Sequence, residues 1–168
     1  MKHINLGCGH AKMINALNVD AFGDPDFKWN LNETPYPWDD SEFDKVTAFH
    51  VMEHLENWWG AFLECVRITK TGGTIEVRVP HASSDTALTY RDHIHVIDLR
   101  SFDGVAGGPT RTTNAWYEEQ DKVPVDLESY FLVPFEQYQW MPSWLLAFVA
   151  SHMRNFIWEQ RMLFRVVK

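Results

Sequence analysis

The most constraining feature of the sequence is a strand, a helix and a second strand in direct succession. Residues 45–50 have the β-branched and aromatic content of a central strand, and residues 74–79 alternate polar and apolar side chains up to Pro80. Between them, large apolar side chains recur every three or four residues from about Asn57, which predicts a helix that buries one face. The helix is expected to end at Lys70-Thr71-Gly72-Gly73, where a basic side chain and glycines are typical C-terminal signals. A strand, a crossover helix and a strand imply parallel pairing, so an α/β fold is predicted.

The chain begins with two short strands that lie close together in sequence. Residues 3–6 predict a buried strand that turns sharply at Gly7-Cys8-Gly9, and residues 16–20 predict a second strand that ends at Asp20. Too few residues separate these strands for a full helix, so the first crossover helix is expected to be reduced. Residues 30–38 contain two prolines and are predicted to form a loop.

The second half of the chain has weaker periodicity. Residues 82–130 are expected to form an irregular insertion, and its glycine-rich part at 104–109 is a candidate lid. Residues 131–133 and 162–167 predict two late strands, with a helix over 143–153 between them. The chain has 168 residues and no internal repeat, so one domain is expected to span it.

The composition of the chain indicates which kinds of binding partner and which cellular compartment to expect. The formal net charge is −8, so bulk binding to nucleic-acid phosphates is not expected. The longest apolar run, residues 144–150, is too short to span a membrane, and no membrane partner is expected. Cys8 and Cys65 cannot form a disulfide framework, and the N-terminal residues lead straight into a strand, so a cytoplasmic protein is expected. The sequence does not indicate an oligomeric state.

Five short motifs follow one another along the chain. They are Ile4-Asn5-Leu6-Gly7-Cys8-Gly9, Asn18-Val19-Asp20, Pro35-Tyr36-Pro37-Trp38 with residues 41–44, His50-Val51-Met52-Glu53-His54-Leu55, and Thr71-Gly72-Gly73. This series resembles the class I S-adenosylmethionine-dependent methyltransferases of the type 11 kind, whose sequences run similarly as LGCG, NVD, PFPDNSFD, HVLEHL and KPGG. The detailed resemblance covers about the first half of the chain. It implies an α/β, Rossmann-like, mostly parallel sheet flanked by helices, here with a reduced first crossover helix and late antiparallel strands.

The resemblance also implies S-adenosyl-L-methionine as the cofactor, and it assigns seven residues to cofactor binding: Gly7, Cys8, Gly9, Asp20, Asn30, Leu31 and His50. At the glycines, a Cβ would occupy the space needed by the methionine part of the cofactor. Asp20 is expected to accept hydrogen bonds from the ribose hydroxyls. Asn30 and Leu31 stand where the family places an Asp-Leu pair beside the adenine, and an amide still offers a donor and an acceptor.

Three histidines are the candidate catalytic residues: His50, His81 and His95. His50 follows a predicted central strand, at the edge where α/β sheets bind ligands, and the resemblance places it facing the transferable methyl group. His81 follows another strand, and His95 belongs to an Asp-His-Ile-His run that resembles a segment of related methyltransferases. A neutral imidazole can take a proton from a hydroxyl or an amine near neutral pH, although these side chains can also serve in positioning or packing.

Two other functions remain open from the residues alone. The run from His50 to His54 matches the inverted zinc-protease pattern H-x-x-E-H, which needs both histidines on one helical face and a third ligand. Because His50 ends a strand, no metal is expected. The reduced first helix would also suit a non-catalytic module that binds S-adenosylmethionine or a nucleotide. For an enzyme, the sequence lacks the Asn-Pro-Pro-Tyr motif of methyltransferases that act on amino groups of DNA or protein, so a small-molecule or glycan-like acceptor with a hydroxyl group is expected.

Overall fold

The computed structural model describes residues 1–102, 105–106 and 123–168, and these residues build one eight-stranded sheet. The strands are β1 (His3–Leu6), β2 (Leu17–Asp20), β3 (Phe27–Lys28), β4 (Phe43–Phe49), β5 (Thr69–Pro80), β6 (Val105–Ala106), β7 (Val123–Pro134) and β8 (Ile157–Val166). Their order across the sheet is β3-β2-β1-β4-β5-β8-β7-β6. Strands β1 to β5 pair in parallel, whereas β8 pairs antiparallel with both β5 and β7. The predicted α/β fold, with a mostly parallel sheet and late antiparallel strands, is confirmed.

Three helices accompany the sheet within the described residues: α1 (Trp58–Ile68), α2 (Thr86–Thr89) and α3 (Ser143–His152). The Asn57 side chain caps α1 by accepting a hydrogen bond from the Gly60 N–H. The buried face of α1 places Phe62 against Phe102 and Phe164, with ring centroids between 4.9 and 5.2 Å apart. This aromatic cluster fastens the crossover helix to the sheet, because large rings bury much apolar area.

The crossover helix ends earlier than the glycine pair predicts. Its last residue is Ile68 and β5 begins at Thr69, so Gly72 and Gly73 lie within the strand. The register between β4 and β5 shifts near the start of β5, and Gly72 has a φ of +76°, a conformation that favours glycine. The expectation that these glycines end the helix is therefore wrong, because they accommodate an irregularity in the strand instead.

The connection between β1 and β2 contains no helix, as its length predicts. The buried side chain of Asn18 holds this connection together. Its Oδ1 accepts a hydrogen bond from the Met13 N–H at 2.7 Å, and its Nδ2 lies 3.1 Å from the carbonyl oxygens of both Met13 and Ala16. Asp26 accepts hydrogen bonds from the backbone N–H of Asn18 at 2.9 Å and from its side chain at 2.7 Å. One amide thus satisfies polar backbone groups that a helix would otherwise pair.

The same network continues across the sheet through Asn5 of β1. Its Nδ2 donates to Asn18 Oδ1 at 3.0 Å, and the Thr47 hydroxyl donates to its Oδ1 at 3.2 Å. All three side chains are buried. The network therefore joins β2, β1 and β4 by hydrogen bonds that are shielded from water, where such bonds are strong.

Strand β7 begins earlier than the sequence analysis predicts. Val123 and Val125 are buried while Pro124 and Asp126 are exposed, which is the alternation of a strand with one buried face. The strand pairs with β8 from Val125 onward. The expectation of an irregular segment over 82–130 is therefore wrong for residues 123–130. The late helix predicted at 143–153 is confirmed as α3.

The part of the insertion that precedes β7 contains α2 and a 3-10 turn at Leu99–Phe102. The candidate lid falls mostly outside the described residues, since Gly104 and residues 107–109 belong to the ranges that the structure leaves out. Within the described part of the chain, no helix has the length and apolar character that crossing a membrane requires.

We expect Asn18→Ala to lower the free energy of unfolding by about 2–4 kcal/mol, because several buried polar groups would lose their partners. Urea denaturation followed by circular dichroism measures the change. The control is Ile14→Ala, in the same connection but 91% exposed, which should change the free energy of unfolding by less than about 0.5 kcal/mol. Wild-type stability in Asn18→Ala would show that the network does not hold this connection.

Candidate active site

A cavity of about 440 Å³ opens where β1, β2 and β4 end. Six of the seven predicted cofactor residues line it: Gly7, Gly9, Asp20, Asn30, Leu31 and His50. The seventh, Cys8, does not line it, because its side chain is buried beneath the turn, where burial raises the pKa of the thiol. The remaining lining residues are Ala21, Phe22, Asn32, Val51, His54, Leu55 and Asp92.

The two glycines of the turn are required for different reasons. Gly7 has a φ of +67°, and a Cβ built on it would lie 2.4 Å from Val51 Cγ2. Gly9 has a φ of +47°, and a Cβ there would meet no heavy atom within 4 Å. A side chain at Gly7 would therefore clash with Val51 of the protein itself, whether or not it also reached the ligand space. At Gly9 the space is open.

Asp20 ties the glycine turn to the end of β2. Its Oδ2 accepts a hydrogen bond from the Gly9 N–H at 2.8 Å, and its Oδ1 accepts one from the Phe22 N–H at 2.9 Å. A carboxylate has about four acceptor positions, so each oxygen can still accept a hydrogen bond from a ligand. Asp20 can therefore organise the turn and bind hydroxyl groups at the same time.

Asn30 and Leu31 border the cavity from the loop after β3. The Asn30 side chain is engaged in its own turn, since its Oδ1 accepts from the Asn32 N–H at 3.1 Å and its Nδ2 donates to Glu33 at 3.2 Å. Each of these atoms can form one more hydrogen bond, so the amide can still pair with a ligand base. Leu31 is buried, and its carbonyl accepts a hydrogen bond from the Tyr36 hydroxyl. It supplies an apolar wall.

His50 lies just beyond β4 in a conformation that is rare for a residue with a side chain, with a φ of +51°. Its ring stacks on Trp158 at 5.6 Å, its Nε2 lies 2.7 Å from Glu159 Oε2, and its Nδ1 lies 3.5 Å from Glu53 Oε1. Burial alone would lower the pKa of His50, but the two carboxylates outweigh burial and raise the pKa to about 9. A protonated ring cannot accept a proton, so the arrangement suits positioning better than general-base catalysis.

His81 lies directly after β5 and borders a second cavity, of about 530 Å³, rather than the first. The polar residues of this second cavity are His81, Ser83, Asp98, Arg100, Tyr130 and Ser151. The Ser83 N–H donates to His81 Nδ1 at 3.1 Å, which places the hydrogen of a neutral ring on Nε2. Burial lowers the pKa of His81, which favours the neutral ring. His81 therefore presents a hydrogen-bond donor.

Trp158 connects the two histidines. Its ring stacks on His50, and its carbonyl accepts a hydrogen bond from the His81 N–H at 3.0 Å. Neither Trp158 nor Glu159 was predicted from the sequence, because each lies more than 100 residues after His50 and no local pattern links them. The clue that the sequence does contain is an acidic residue within a late apolar strand.

His95 lies apart from both cavities. Its Nε2 is 3.3 Å from the carbonyl oxygen of Glu56, and it lines neither cavity. The first cavity is lined instead by Asp92, which lies three residues before His95, and by His54 of the neighbouring turn. The predicted catalytic role of His95 receives no geometric support.

The H-x-x-E-H run does not form one helical face. His50 follows β4, whereas Glu53 and His54 belong to a 3-10 turn at Met52–His54. The residues that do converge are Glu53, His54 and His93, whose potential ligand atoms all lie within 4.8 Å of one another. The arrangement expected of an inverted zinc protease is therefore not the one that this turn adopts.

Comparison with known proteins gives one family match and several fold matches. Residues 9–77 match the family described as a methyltransferase domain. The YcgJ protein from Bacillus subtilis superposes with a TM-score of 0.60 at 11% identity, covering 99% of this chain and 92% of that chain. A SAM-dependent methyltransferase from Archaeoglobus fulgidus gives 0.56 at 14% identity, covering 98% and 85%. An S-adenosylmethionine-dependent methyltransferase from Mesorhizobium loti gives 0.55 at 11% identity, covering 98% and 90%.

No curated protein matches the chain. At these low identities the solved structures show the fold, while the family match covers Gly9, Asp20 and the whole run from His50 to His54. The resemblance noted from the motifs is thereby confirmed. Residues 9–77 therefore match a methyltransferase domain, and the chain as a whole shares its fold with solved S-adenosylmethionine-dependent methyltransferases.

Proposed function

We propose that the first cavity binds S-adenosylmethionine and that the second cavity binds a small, polar, hydroxyl-bearing methyl acceptor. The observation that carries the first part is the convergence of the glycine turn, Asp20 and His50 on one cavity at the carboxyl ends of three parallel strands. Ligands of open α/β sheets bind at this edge, because the strand-to-loop turns there leave a crevice.

The residues present fit the cofactor. Gly9 leaves open space where a side chain would project, and Asp20 retains acceptor positions for hydroxyl groups. Leu31 and Leu55 supply apolar walls suited to a flat base. When bound, the cofactor supplies a methyl group activated by attachment to a positively charged sulfur.

The residues of the chain contribute by orienting the acceptor relative to the methyl group. In-line displacement is fastest when the attacking atom is held about 3 Å from the carbon, and such positioning accounts for much of the rate. His50 is well suited to maintain this geometry, because Trp158 and Glu159 fix its ring at the wall of the first cavity. We assign His50 to positioning.

The second cavity supports a polar acceptor. Its lining combines serine and tyrosine hydroxyls with the ion pair of Arg100 and Asp98, and His81 presents an N–H group. Such groups recognise hydroxyl-rich molecules through several hydrogen bonds. Trp158 contacts His50 with its ring and His81 with its backbone carbonyl, so one residue touches a bordering residue of each cavity. The net charge of −8 disfavours nucleic acid as the acceptor.

We expect Asp20→Ala to weaken binding of S-adenosylhomocysteine by about 1.5–3 kcal/mol, because hydrogen bonds to a charged group are lost. Isothermal titration calorimetry measures the affinity. The control is Asp24→Ala, which removes a nearby acidic side chain that is fully exposed and lies outside the cavity lining. Unchanged affinity in Asp20→Ala would remove this residue from the site and with it the main support for the proposal.

The two glycines should respond differently to substitution by alanine. Gly9→Ala should weaken S-adenosylhomocysteine binding by about tenfold or more, at a stability cost of about 1–2 kcal/mol for its positive φ. Gly7→Ala should mainly destabilise the fold, because its Cβ meets Val51. Calorimetry and urea denaturation separate these effects. The destabilisation by Gly7→Ala should shrink in a Val51→Ala background, and a constant cost would show that the contact is not the cause.

Transfer of a radiolabelled methyl group should favour low-molecular-weight sugars and polyols over duplex DNA and unstructured peptide. With a sugar or polyol that accepts the label, His81→Ala should raise KM by about tenfold, with a smaller change in kcat, because it removes one hydrogen bond. His81→Gln, which keeps an N–H donor, should recover part of this loss. A pH profile that loses its acidic limb in His81→Ala would instead identify His81 as a general base. Transfer only to DNA or peptide would contradict the acceptor assignment.

A further inference from the structure

The strongest unexplained feature outside the methyl-transfer scheme is the carboxylate of Glu53. The residue is only 1% exposed, and neither carboxylate oxygen has a hydrogen-bond partner within the described residues. The Nδ1 of His50 lies 3.5 Å from Glu53 Oε1, but the closer contact of that ring is made by its Nε2, which lies 2.7 Å from Glu159 Oε2. Burying a carboxylate without hydrogen-bond donors is costly, so such a group calls for a further partner.

The imidazole rings of His54 and His93 lie close to the Glu53 carboxylate. The Nδ1 of His93 is also buried without a hydrogen-bond partner among the described residues. The ring of His93 lies edge-on to the ring of His54, with centroids 4.8 Å apart, and it stacks on Tyr90 on its other side. Glu53, His54 and His93 each offer one ligand atom, and these atoms all lie within 4.8 Å of one another.

This spacing is close to that of a transition-metal site. Zinc bonds of about 2.0–2.2 Å in a tetrahedral arrangement place neighbouring ligand atoms about 3.3–3.6 Å apart. Small rotations of the three side chains would therefore bring them to ligation distance. Two imidazoles and one carboxylate form a ligand set that suits zinc and related divalent transition metals better than calcium or magnesium, which prefer oxygen.

The surroundings of His54 also match those of a metal-bound histidine. Its Nδ1 lies 2.8 Å from the backbone carbonyl oxygen of Asp92. A carbonyl can only accept, so Nδ1 donates and Nε2 carries the lone pair of the neutral ring. Metal-bound histidines commonly donate their second nitrogen to a carbonyl in this way, which fixes the ring orientation.

We propose that Glu53, His54 and His93 bind one divalent transition-metal ion of the zinc type at the rim of the first cavity. His54 and Asp92 line that cavity, so the ion would lie at its border. The backbone N–H groups of Ile94 and His95 donate to the Glu53 carbonyl at 3.0 and 3.2 Å, which already docks this segment on the turn. The bound ion would add metal–ligand bonds between this turn and the segment that contains His93, and would so hold that segment beside the first cavity. This inference does not depend on the proposed methyl acceptor.

The site differs from the H-x-x-E-H arrangement considered for the sequence. His50 takes no part, since its ring is held by Glu159 and Trp158, and His93 replaces it from a segment about 40 residues away. The competing explanation is that Glu53 serves only as a counter-charge for His50. That explanation requires neither His93 nor His54, so substitutions at the histidines distinguish the two.

The test is a metal titration of the full-length protein after removal of metals by a chelator. Zn²⁺ is added with calorimetric detection, and Co²⁺ is added with visible absorption as a report of coordination geometry. We expect one equivalent to bind with a dissociation constant below about 10 µM, and Co²⁺ to give the intense visible bands of a low-coordinate site with nitrogen ligands.

Glu53→Gln and His93→Ala should each weaken metal binding by more than about tenfold. Glu53→Gln preserves side-chain size, so it tests the charge even if His93→Ala fails to fold. The matched control is His152→Ala at the end of α3, whose ring bonds within its own helix and which should bind metal as wild type does. No stoichiometric binding, or equal affinity in wild type and Glu53→Gln, would overturn the proposal. Titration of the same samples with S-adenosylhomocysteine shows separately whether the cofactor assignment holds.

Discussion

The buried amide of Asn18 is the interaction on which the arrangement of the site depends. A parallel pair of strands usually needs a crossover helix, whose hydrogen bonds satisfy the connecting backbone. Between β1 and β2 this chain has no helix, and the Asn18 side chain instead pairs with backbone groups of Met13 and Ala16 and with Asp26. Asn5 and Thr47 carry the network across β1 to β4. The network thereby fixes the ends of β1 and β2, and these ends carry the Gly7-Cys8-Gly9 turn and Asp20.

The parallel part of the sheet explains why chemically useful groups meet at one edge. Gly9, Asp20 and His50 each follow or end a strand of the parallel set, so all of them lie at its carboxyl edge. The antiparallel strand β8 contributes further contacts to this edge. Trp158 and Glu159, near the start of β8, stack on the His50 ring and pair with its Nε2. One histidine is thus held between groups from two distant parts of the chain. The strained backbone of His50 is tolerated because these contacts determine its position.

Much of the fold could be predicted from local patterns, and the errors have identifiable causes. Apolar runs and β-branched content correctly predicted β1, β2 and β4, and the period of three to four residues predicted α1, because both kinds of pattern report burial. The late strands β7 and β8 were predicted in part, with later starts than the structure has. Gly72 and Gly73 were misassigned because glycines mark strand irregularities as well as helix ends. The start of β7 was missed although Val123 and Val125 alternate with Pro124 and Asp126, because a proline in a strand weakens the pattern.

For the site, local sequence patterns were enough to identify the residues that line the first cavity at the ends of successive strands. The Gly7-Cys8-Gly9 turn, Asp20 and His50 are each recognisable from their neighbours. The contacts of each group became known only from the folded chain. It showed that Val51 requires the glycine at position 7, that Glu159 and Glu53 flank His50, and that His93 faces His54. Charge, tautomer and available space depend on side chains that the fold brings together from distant positions, and such pairings leave no periodic signal along the chain.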